Sequence, residues 1–238
     1  MGIGEIKLPT REPRGSRRRP DVPPPKVERI KPRSGLSRAE VMAIQRRRIL
    51  DGLAAALAYH GYEDTKITDI VELAGVSRPT FYEYFEGKDQ CFAAAYEDGV
   101  ERLVDAVEAA AEGAGDWPAH LSAGLSAGLD FLASNPPVAH LLLVESLAAS
   151  RPARLEHERS LVRLAAALRP PAAELARASV PEETARLLAG GLASHLSGRV
   201  LVGEAERLPE SRGLLLSYLL APSQAISRSA DERLAERR

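Results

Sequence analysis

Apolar side chains recur at helical spacing along most of the chain, which favours amphipathic helices over strands. The first such run predicts a helix over residues 38–60, and Gly61 ends it. Ser37 and Glu40 stand in capping-box register at its start. A later run predicts another long helix over residues 88–112, which a pair of glycines follows.

Residues 67–88 carry the clearest local signal, two short helices separated by a sharp turn. Apolar positions recur at helical spacing before Gly75, which supplies the backbone freedom that a tight turn needs. After the turn, Ser77 is placed to cap the second helix, and Pro79 falls in its first turn, where a missing N–H does no harm. This helix turns its phenylalanines inward and leaves hydroxyls, tyrosines and one arginine outside, a surface that suits a DNA major groove.

The second half of the chain contains further helical segments and no convincing strand, with Pro-Pro pairs between some of them. Together with the N-terminal elements they predict an all-α protein of about nine helices. The predicted later helices cover residues 117–134, 138–149, 152–168, 172–178, 181–202 and 208–220.

The composition favours helices and a cytoplasmic location. Apolar residues make up 45% of the 238 residues and aromatic residues 5%, with alanine and leucine common. A single cysteine, Cys91, excludes an internal disulfide and is typical of a reducing compartment. No apolar run reaches the roughly 18 to 20 residues of a membrane span, and the N-terminus lacks the apolar stretch of a signal peptide. We therefore expect a soluble cytoplasmic protein.

Positive charge is concentrated at the N-terminus. Residues 1–37 contain ten Lys or Arg against four Asp or Glu, a balance of +6, whereas the whole chain has a net charge of −1. The segment is rich in proline and has no periodicity, which predicts a disordered or extended arm over residues 1–36. Such an arm either binds nucleic acid or is a solvated tail without a partner.

The block Val76-Ser-Arg-Pro-Thr-Phe-Tyr-Glu-Tyr-Phe-Glu-Gly-Lys88, with the long helix and the short helix before it, resembles the TetR family of transcriptional repressors. The resemblance covers about residues 40–100 without interruption. It implies a homodimer whose recognition helices enter successive major grooves of a double-stranded DNA operator, with half-sites roughly 34–36 Å apart. The implied parts are a helix-turn-helix domain over 37–87, a ligand-binding and dimerisation domain over 88–222 and a charged tail over 223–238.

By this resemblance, eight residues fall on DNA-contacting positions. Arg78 is the best candidate to read a base, because a guanidinium can bond to guanine O6 and N7 together. Thr68 either reads a base or reaches only phosphate, and Lys88 is expected to hold phosphate at the start of the fourth helix. The full set is Thr68, Ser77, Arg78, Pro79, Thr80, Tyr82, Tyr84 and Lys88.

The charge balance around the motif is weak for a DNA-binding surface. Residues 38–92 hold seven basic side chains against nine acidic ones. One hypothesis is that the basic arm supplies the missing charge by lying along the DNA backbone or entering the minor groove. The three arginines over 46–48 either approach phosphate or form a solvated face. Lys66 stands where a Ser or Thr cap is expected, so either Thr65 or a backbone group is expected to cap the helix after it.

The resemblance also implies a ligand pocket between the fourth helix and the helices over 117–168, with the last two long helices in a dimer seam. Few aromatic and polar residues favour an apolar effector. A ligand pressed against helix 88–112 would displace the recognition helices. The candidate lining residues, which are equally candidates for ordinary core packing, are Trp117, Leu121, Phe131, Leu142, Leu143, Glu145 and Leu164.

Neither catalytic residues nor metal ligands stand out. The histidines of the second half are scattered without metal-ligand spacing, and Cys91 is expected to be a buried apolar residue. There is no Ser/His/Asp or Cys/His set and no glycine-rich phosphate loop. We therefore expect no cofactor, no metal and no enzymatic activity.

Three functions are compatible with the sequence. The favoured one is a ligand-responsive, sequence-specific DNA-binding regulator, a repressor that a small apolar effector releases from its operator. The second is a helical enzyme or small-molecule-binding bundle whose helix-turn-helix is only structural. The third is an architectural DNA-binding protein without an effector, which would bind with steep salt dependence and little sequence preference.

Overall fold

The described part of the chain is made of nine α-helices and contains no strand, which confirms the predicted all-α fold. The structure is a computed structural model, and it describes residues 37–146, 151–167 and 181–221. A π-helical turn, Leu141–Glu145, continues α6, and a 3-10 helix, Ala205–Ser211, precedes α9. The helices are α1 Arg38–Asp64, α2 Ile67–Ala74, α3 Arg78–Tyr84, α4 Lys88–Ala111, α5 Trp117–Ser134, α6 Pro136–His140, α7 Arg151–Ala167, α8 Glu182–Leu201 and α9 over residues 212–221.

Three segments named from the sequence lie outside the described residues. They are the basic arm over 1–36, the helix predicted over 172–178 and the charged tail over 223–238. Among the described residues, none of the helices combines the length and the apolar character that crossing a membrane requires.

The start and end of α1 follow the sequence signals. The Ser37 hydroxyl oxygen accepts from the backbone N–H of Glu40 at 3.2 Å, and the Glu40 carboxylate accepts from the backbone N–H of Ser37 at 2.7 Å. These two bonds are the predicted capping box, and they also lower the pKa of Glu40. The regular helix ends at Gly61, whose φ of +73° kinks the chain before its last helical residues.

A close contact between α1 and α2 fixes the packing of the N-terminal helices. A Cβ atom at Gly52 would lie 2.8 Å from the backbone nitrogen of Ala74 and 2.8 Å from the carbonyl oxygen of Ile70. Any larger residue at this position would therefore push the backbone of α2 away from α1. Ile49 and Leu53, on the same buried side of α1, are fully inaccessible to solvent.

One hydrophobic core connects the first three helices to the rest of the molecule. It includes Phe81 of α3, Phe92 of α4, Leu129 of α5 and Leu141 of the π-helical turn. α1 packs against α2, α4 and α6, and α4 also packs along α5. α4 is therefore shared between the N-terminal helices and the C-terminal ones, as the sequence predicted.

Two predicted helix boundaries were wrong, both beside proline. The helix predicted to begin at Val138 begins at Pro136. Proline is tolerated there because the backbone N–H groups in the first turn of a helix have no acceptor within the helix. The helix predicted over 208–220 is 3-10 up to Ser211 and α-helical only from residue 212, since Pro209 has no N–H to donate to an α-helical ladder.

Candidate nucleic-acid interface

The turn between α2 and α3 has the predicted geometry. Gly75 adopts the left-handed conformation (φ 62°, ψ 35°), and its N–H donates to the carbonyl of Glu72 at 3.1 Å. The Ser77 hydroxyl oxygen then accepts from the backbone N–H of Thr80 at 3.2 Å and caps α3. Because both ends of the turn are fixed by local bonds, α3 leaves α2 in one defined direction.

α3 has one buried and one exposed face. Phe81 is fully buried and Phe85 is 5% exposed, so these two rings anchor the helix to the core. Tyr82 is 56% exposed on the opposite side. Thr80 and Tyr84 are half-buried, and the remaining solvent-exposed residues of this region are Ser77, Arg78, Pro79 and Glu83. Arg78 is the first residue of α3, and the N-terminal residues of a recognition helix are those that contact base edges.

Tyr84 is tied to α1. Its hydroxyl donates to Oε1 of Gln45 at 3.0 Å. Burial and then the neighbouring carboxylate of Glu83 raise the pKa of Tyr84. The hydroxyl therefore joins the end of α3 to α1, a role that the spacing of the motif did not indicate.

Lys88 has less freedom to hold phosphate than the sequence suggested. Its Nζ donates to the carbonyl oxygen of Tyr62 at 2.6 Å and to that of Thr65 at 3.0 Å, and it lies 4.4 Å from the centre of the Tyr62 ring. An ammonium group has three N–H donors, so one remains. Phosphate binding by Lys88 stays a prediction that depends on this donor and on the backbone N–H groups that begin α4.

The start of α2 is capped by backbone, not by Thr65. The Thr65 hydroxyl donates backwards to the carbonyl of Gly61 at 2.7 Å, so of the two expected caps, Thr65 and a backbone group, it is the backbone group that is found. Lys66 occupies the cap position, and its carbonyl oxygen accepts from the backbone N–H of Asp69 at 3.0 Å. Its own N–H donates to the carboxylate of Asp69 at 2.8 Å. Thr68 is exposed on the first turn of this helix, where a hydroxyl can approach DNA.

The three consecutive arginines of α1 have different surroundings. Arg47 forms a two-pronged ion pair with Asp98 of α4, at 2.8 and 3.1 Å. Arg48 reaches the carbonyl of Gly75 at 3.4 Å. Arg46 is exposed, and its guanidinium carbon lies 6.0 Å from the centre of the Phe85 ring. Arg46 is therefore the arginine of this group best placed to meet a phosphate beside α3, which sequence position alone could not reveal.

The residues predicted to line a ligand pocket do not meet in one place. Trp117 and Leu121 belong to a separate apolar cluster with Leu188 of α8, and Leu164 packs against both this cluster and the main core. Three others, Phe131, Leu142 and Leu143, pack in the main core. Glu145 is buried, and its carboxylate accepts from the backbone N–H of Tyr62 at 2.8 Å. Glu145 thus bonds to the end of α1, away from the cluster around Trp117.

Cys91 is fully buried in the first turns of α4. Burial raises the pKa of its thiol to about 12, and Arg46 opposes this shift only in part. A thiol held protonated in this way is a poor nucleophile at neutral pH. Across the described ranges, no group of three or more His, Cys, Asp or Glu side chains is arranged to hold a metal ion.

Comparison with known proteins assigns the family. The family model described as "Bacterial regulatory proteins, tetR family" matches residues 49–95, from the middle of α1 to the first half of α4. The HTH-type transcriptional regulator BetI from Cronobacter sakazakii (strain ATCC BAA-894) is 30% identical over 196 residues, which is 74% of this chain and 89% of BetI. The chain belongs to the TetR family. It is a DNA-binding transcriptional regulator, and its homologues are regulators and not enzymes.

Two further comparisons concern the helix-turn-helix region and the fold. The uncharacterised HTH-type regulator YdgC from Bacillus subtilis (strain 168) is 36% identical over 58 residues, which is 24% of this chain but only 30% of YdgC. The regulator FadR from Bacillus subtilis, solved in complex with stearoyl-CoA, has a TM-score of 0.64 at 17% identity and covers 74% of this chain and 98% of its own. At this identity the match shows the fold alone.

Proposed function

We propose that this TetR-family protein is a ligand-responsive repressor that binds a specific operator through the exposed face of α3. The single observation that supports this most is the asymmetry of α3. Phe81 and Phe85 fix it to the core, while Arg78 and Tyr82 extend into solvent from a helix whose start is set by Gly75. A rigid helix with an exposed arginine at its N-terminus is suited to reading guanine in a major groove.

Each of the eight candidate contacts has a proposed role. Arg78 reads a base, and Thr68 contacts a base or phosphate from the start of α2. The others hold the DNA backbone and so set register and affinity without reading sequence. These backbone contacts are Ser77, Pro79, Thr80, Tyr82, Tyr84 and Lys88, of which Tyr84 must exchange its hydroxyl bond to Gln45 for one to phosphate.

The protein acts as a homodimer through α8 and α9 in this proposal. One side of α8 faces the core, but its other side carries an exposed seam of small and apolar residues at alternating spacings of four and three residues. Leu187 at one end of the seam is 74% exposed, and Leu201 at the other end is 60% exposed. The seam consists of Leu187, Gly191, Ser194, Gly198 and Leu201. Tyr218 of α9 lies against Gly191 and donates its hydroxyl to the carbonyl of Leu187 at 3.2 Å, so its partly exposed ring belongs to the same surface, which a second copy of the chain would cover.

Gly198→Glu is expected to convert the dimer into a monomer. A Cβ at Gly198 meets no atom within 4 Å in one chain, so the substitution is tolerated by the fold but obstructs close approach of a second copy. Light scattering coupled to size exclusion measures the mass directly. Gly115→Glu, at another exposed glycine with open space around it, is the matched control and should stay dimeric. A Gly198→Glu protein that still has the mass of a dimer would contradict the proposal that the two copies meet at this seam.

The effector is proposed to bind beside Trp117, at the cluster that includes Leu121 and Leu188. Trp117 is 5% exposed, and its indole N–H has no hydrogen-bond partner among the described residues. A buried donor without a partner is costly, and an acceptor atom on a bound ligand would satisfy it. This supports an apolar effector that carries one acceptor oxygen. The related fold of FadR accommodates stearoyl-CoA, which makes that compound a suitable first probe.

Release of operator DNA by a ligand tests this proposal. Trp117 is the only tryptophan in the chain, so a change in its fluorescence reports binding at this cluster. Stearoyl-CoA, or a long-chain fatty acid that binds here, should lower operator affinity by roughly 5- to 150-fold, the usual range of allosteric coupling. Fluorescence polarisation of labelled operator measures the loss. If ligands alter Trp117 emission but never change operator affinity, the protein binds ligand without being regulated by it.

A further inference from the structure

Tyr62 occupies the connection between α1 and the helix-turn-helix. It follows Gly61, where the positive φ kinks the chain, and Lys66 caps α2 only four residues later. The direction in which α2 and α3 leave α1 therefore depends on how residues 62–65 are held. Local bonds close this segment on itself, since the N–H and the hydroxyl of Thr65 both donate to the carbonyl of Gly61, at 3.2 and 2.7 Å. They do not join it to the rest of the molecule.

All three polar groups of Tyr62 bond to charged side chains from outside this connection. Its backbone N–H donates to the Glu145 carboxylate at 2.8 Å, and its carbonyl oxygen accepts from Lys88 Nζ at 2.6 Å. Its hydroxyl donates to the carboxylate of Asp89. Burial and this bond together raise the pKa of Tyr62. Hydrogen bonds to charged groups are roughly twice as strong as neutral ones, so the connection is firmly fixed.

These partners belong to elements C-terminal to the helix-turn-helix. Lys88 and Asp89 are the first two residues of α4, and Glu145 is the last residue of the π-helical turn. A π-helical turn contains an extra residue relative to α-helix, and such turns are frequent at functional sites. Conversion of this turn to α-helix would change its register and carry the Glu145 carboxylate away from Tyr62.

Two chains of contacts lead from Tyr62 to one buried histidine of α7. The Tyr62 ring meets Phe92 edge to face, with centroids 5.2 Å apart, and Phe92 stacks on Tyr96. The Tyr96 hydroxyl lies 3.4 Å from His157 Nδ1. Ser146, the neighbour of Glu145 in the chain, lies 3.2 Å from the same nitrogen. A displacement of α7 thus reaches Tyr62 through both its ring and its backbone.

We propose that Tyr62 is the joint through which the C-terminal helices hold the helix-turn-helix in its DNA-binding orientation, with Glu145 as the positioning residue. The proposal rests on the proposed function, because it specifies how effector binding is transmitted to α3. Loss of the Glu145 bond leaves the Tyr62 N–H without its acceptor and lets residues 62–65 relax. The helix-turn-helix then samples several orientations, of which one fits the operator.

The test compares Glu145→Leu with Glu145→Gln in the full chain. Leucine removes the acceptor, whereas glutamine keeps an oxygen of the same shape in the same place. Glu101→Leu, at an exposed position of α4, is the control for placing leucine at a glutamate. Circular dichroism and thermal unfolding establish that each variant is folded. Glu145→Ala, which also removes the acceptor but fills less space, replaces Glu145→Leu if the latter does not fold.

Orientation is measured without DNA by the distance between two spin labels. Cysteines at Glu72 and Asp105, both exposed, place one label on α2 and one on α4. Native Cys91 is buried, so only the two new thiols are labelled. We expect Glu145→Leu to broaden or shift the distance distribution, while Glu145→Gln and Glu101→Leu retain the original one. Affinity for the DNA fragment that the unmodified protein selects from a random pool should fall about tenfold or more in Glu145→Leu.

The two readouts separate failure of this inference from failure of the proposed function. A folded Glu145→Leu, or Glu145→Ala in its place, with an unchanged distance distribution and operator affinity within twofold of the unmodified protein overturns this inference. If the distance changes but the unmodified protein selects no DNA sequence, the joint stands and the proposed function fails. If the distance changes while affinity for a selected operator does not, Glu145 sets orientation without controlling DNA binding, and the inference is again overturned.

Discussion

Replacement of Arg78 by alanine is expected to lower operator affinity by roughly 5- to 150-fold, because a bidentate contact to guanine contributes about 1–3 kcal/mol of discrimination. The protein should remain folded, since Arg78 is exposed at the first position of α3 and the core beneath it is formed by Phe81 and Phe85. Affinity for unrelated DNA should change far less, because non-specific binding depends on phosphate contacts. Fluorescence polarisation with selected and scrambled DNA fragments measures both values.

Glu83→Ala is the matched control for Arg78→Ala. Glu83 is also a charged, exposed residue of α3, but its carboxylate repels phosphate, so its removal should leave operator affinity unchanged or slightly higher. An Arg78→Ala protein that loses the same affinity for both DNA fragments would make Arg78 a phosphate contact. An Arg78→Ala protein whose affinity for the selected fragment is unchanged would show that Arg78 does not contact DNA.

Gly52→Ala is expected to have the largest effect on stability. The new methyl carbon would lie 2.8 Å from two backbone atoms of α2, which no side-chain rotation can relieve. Overpacking of a core commonly costs about 1–3 kcal/mol, and a clash with backbone belongs at the upper end of that range. Urea unfolding followed by circular dichroism measures the free energy of unfolding. Operator affinity should fall as well, because α2 and α3 must move away from α1.

Gly115→Ala controls for the general effect of replacing glycine. A Cβ at Gly115 meets nothing within 4 Å, so its free energy of unfolding should change by less than about 0.5 kcal/mol. Gly52→Ala with the stability of the unmodified protein would mean that α1 and α2 are not packed as closely as the structure indicates.

Signals between near neighbours in the chain made the helix-turn-helix predictable. Gly75 at the turn and Ser77 at the cap of α3 act over a few residues, and the alternation of buried and exposed side chains in α3 is visible in its spacing. The resemblance to the TetR family was visible in the same block of residues. These features depend on local geometry, which sequence patterns encode directly.

Contacts across long stretches of sequence could not be predicted in this way. Tyr62 and Glu145 are far apart in the chain, and no pattern in either segment indicates that they bond. Lys88 was assigned to phosphate because of its place at the start of α4, whereas its Nζ donates to the end of α1. Apolar spacing likewise could not separate the cluster around Trp117 from the main core, since both give the same helical periodicity.

The two proposals join three parts of the protein in one sequence of events. In this proposed sequence a ligand at the Trp117 cluster would displace helices packed around α4, disturb the contacts at Tyr62 and cost α3 the orientation that the operator requires. Only the first step depends on the identity of the effector. The other steps depend on side chains whose partners and distances are given above, so they can be tested before any effector is known.

Selection of DNA from a random pool by the full-length protein tests the central claim, sequence-specific binding through α3. The account predicts convergence on one sequence with approximate two-fold symmetry and half-sites at least one helical turn, roughly 34–36 Å, apart. The same selection with Arg78→Ala should lose the preferred base in each half-site. Enrichment of no particular sequence, or an identical sequence for both proteins, would contradict the account.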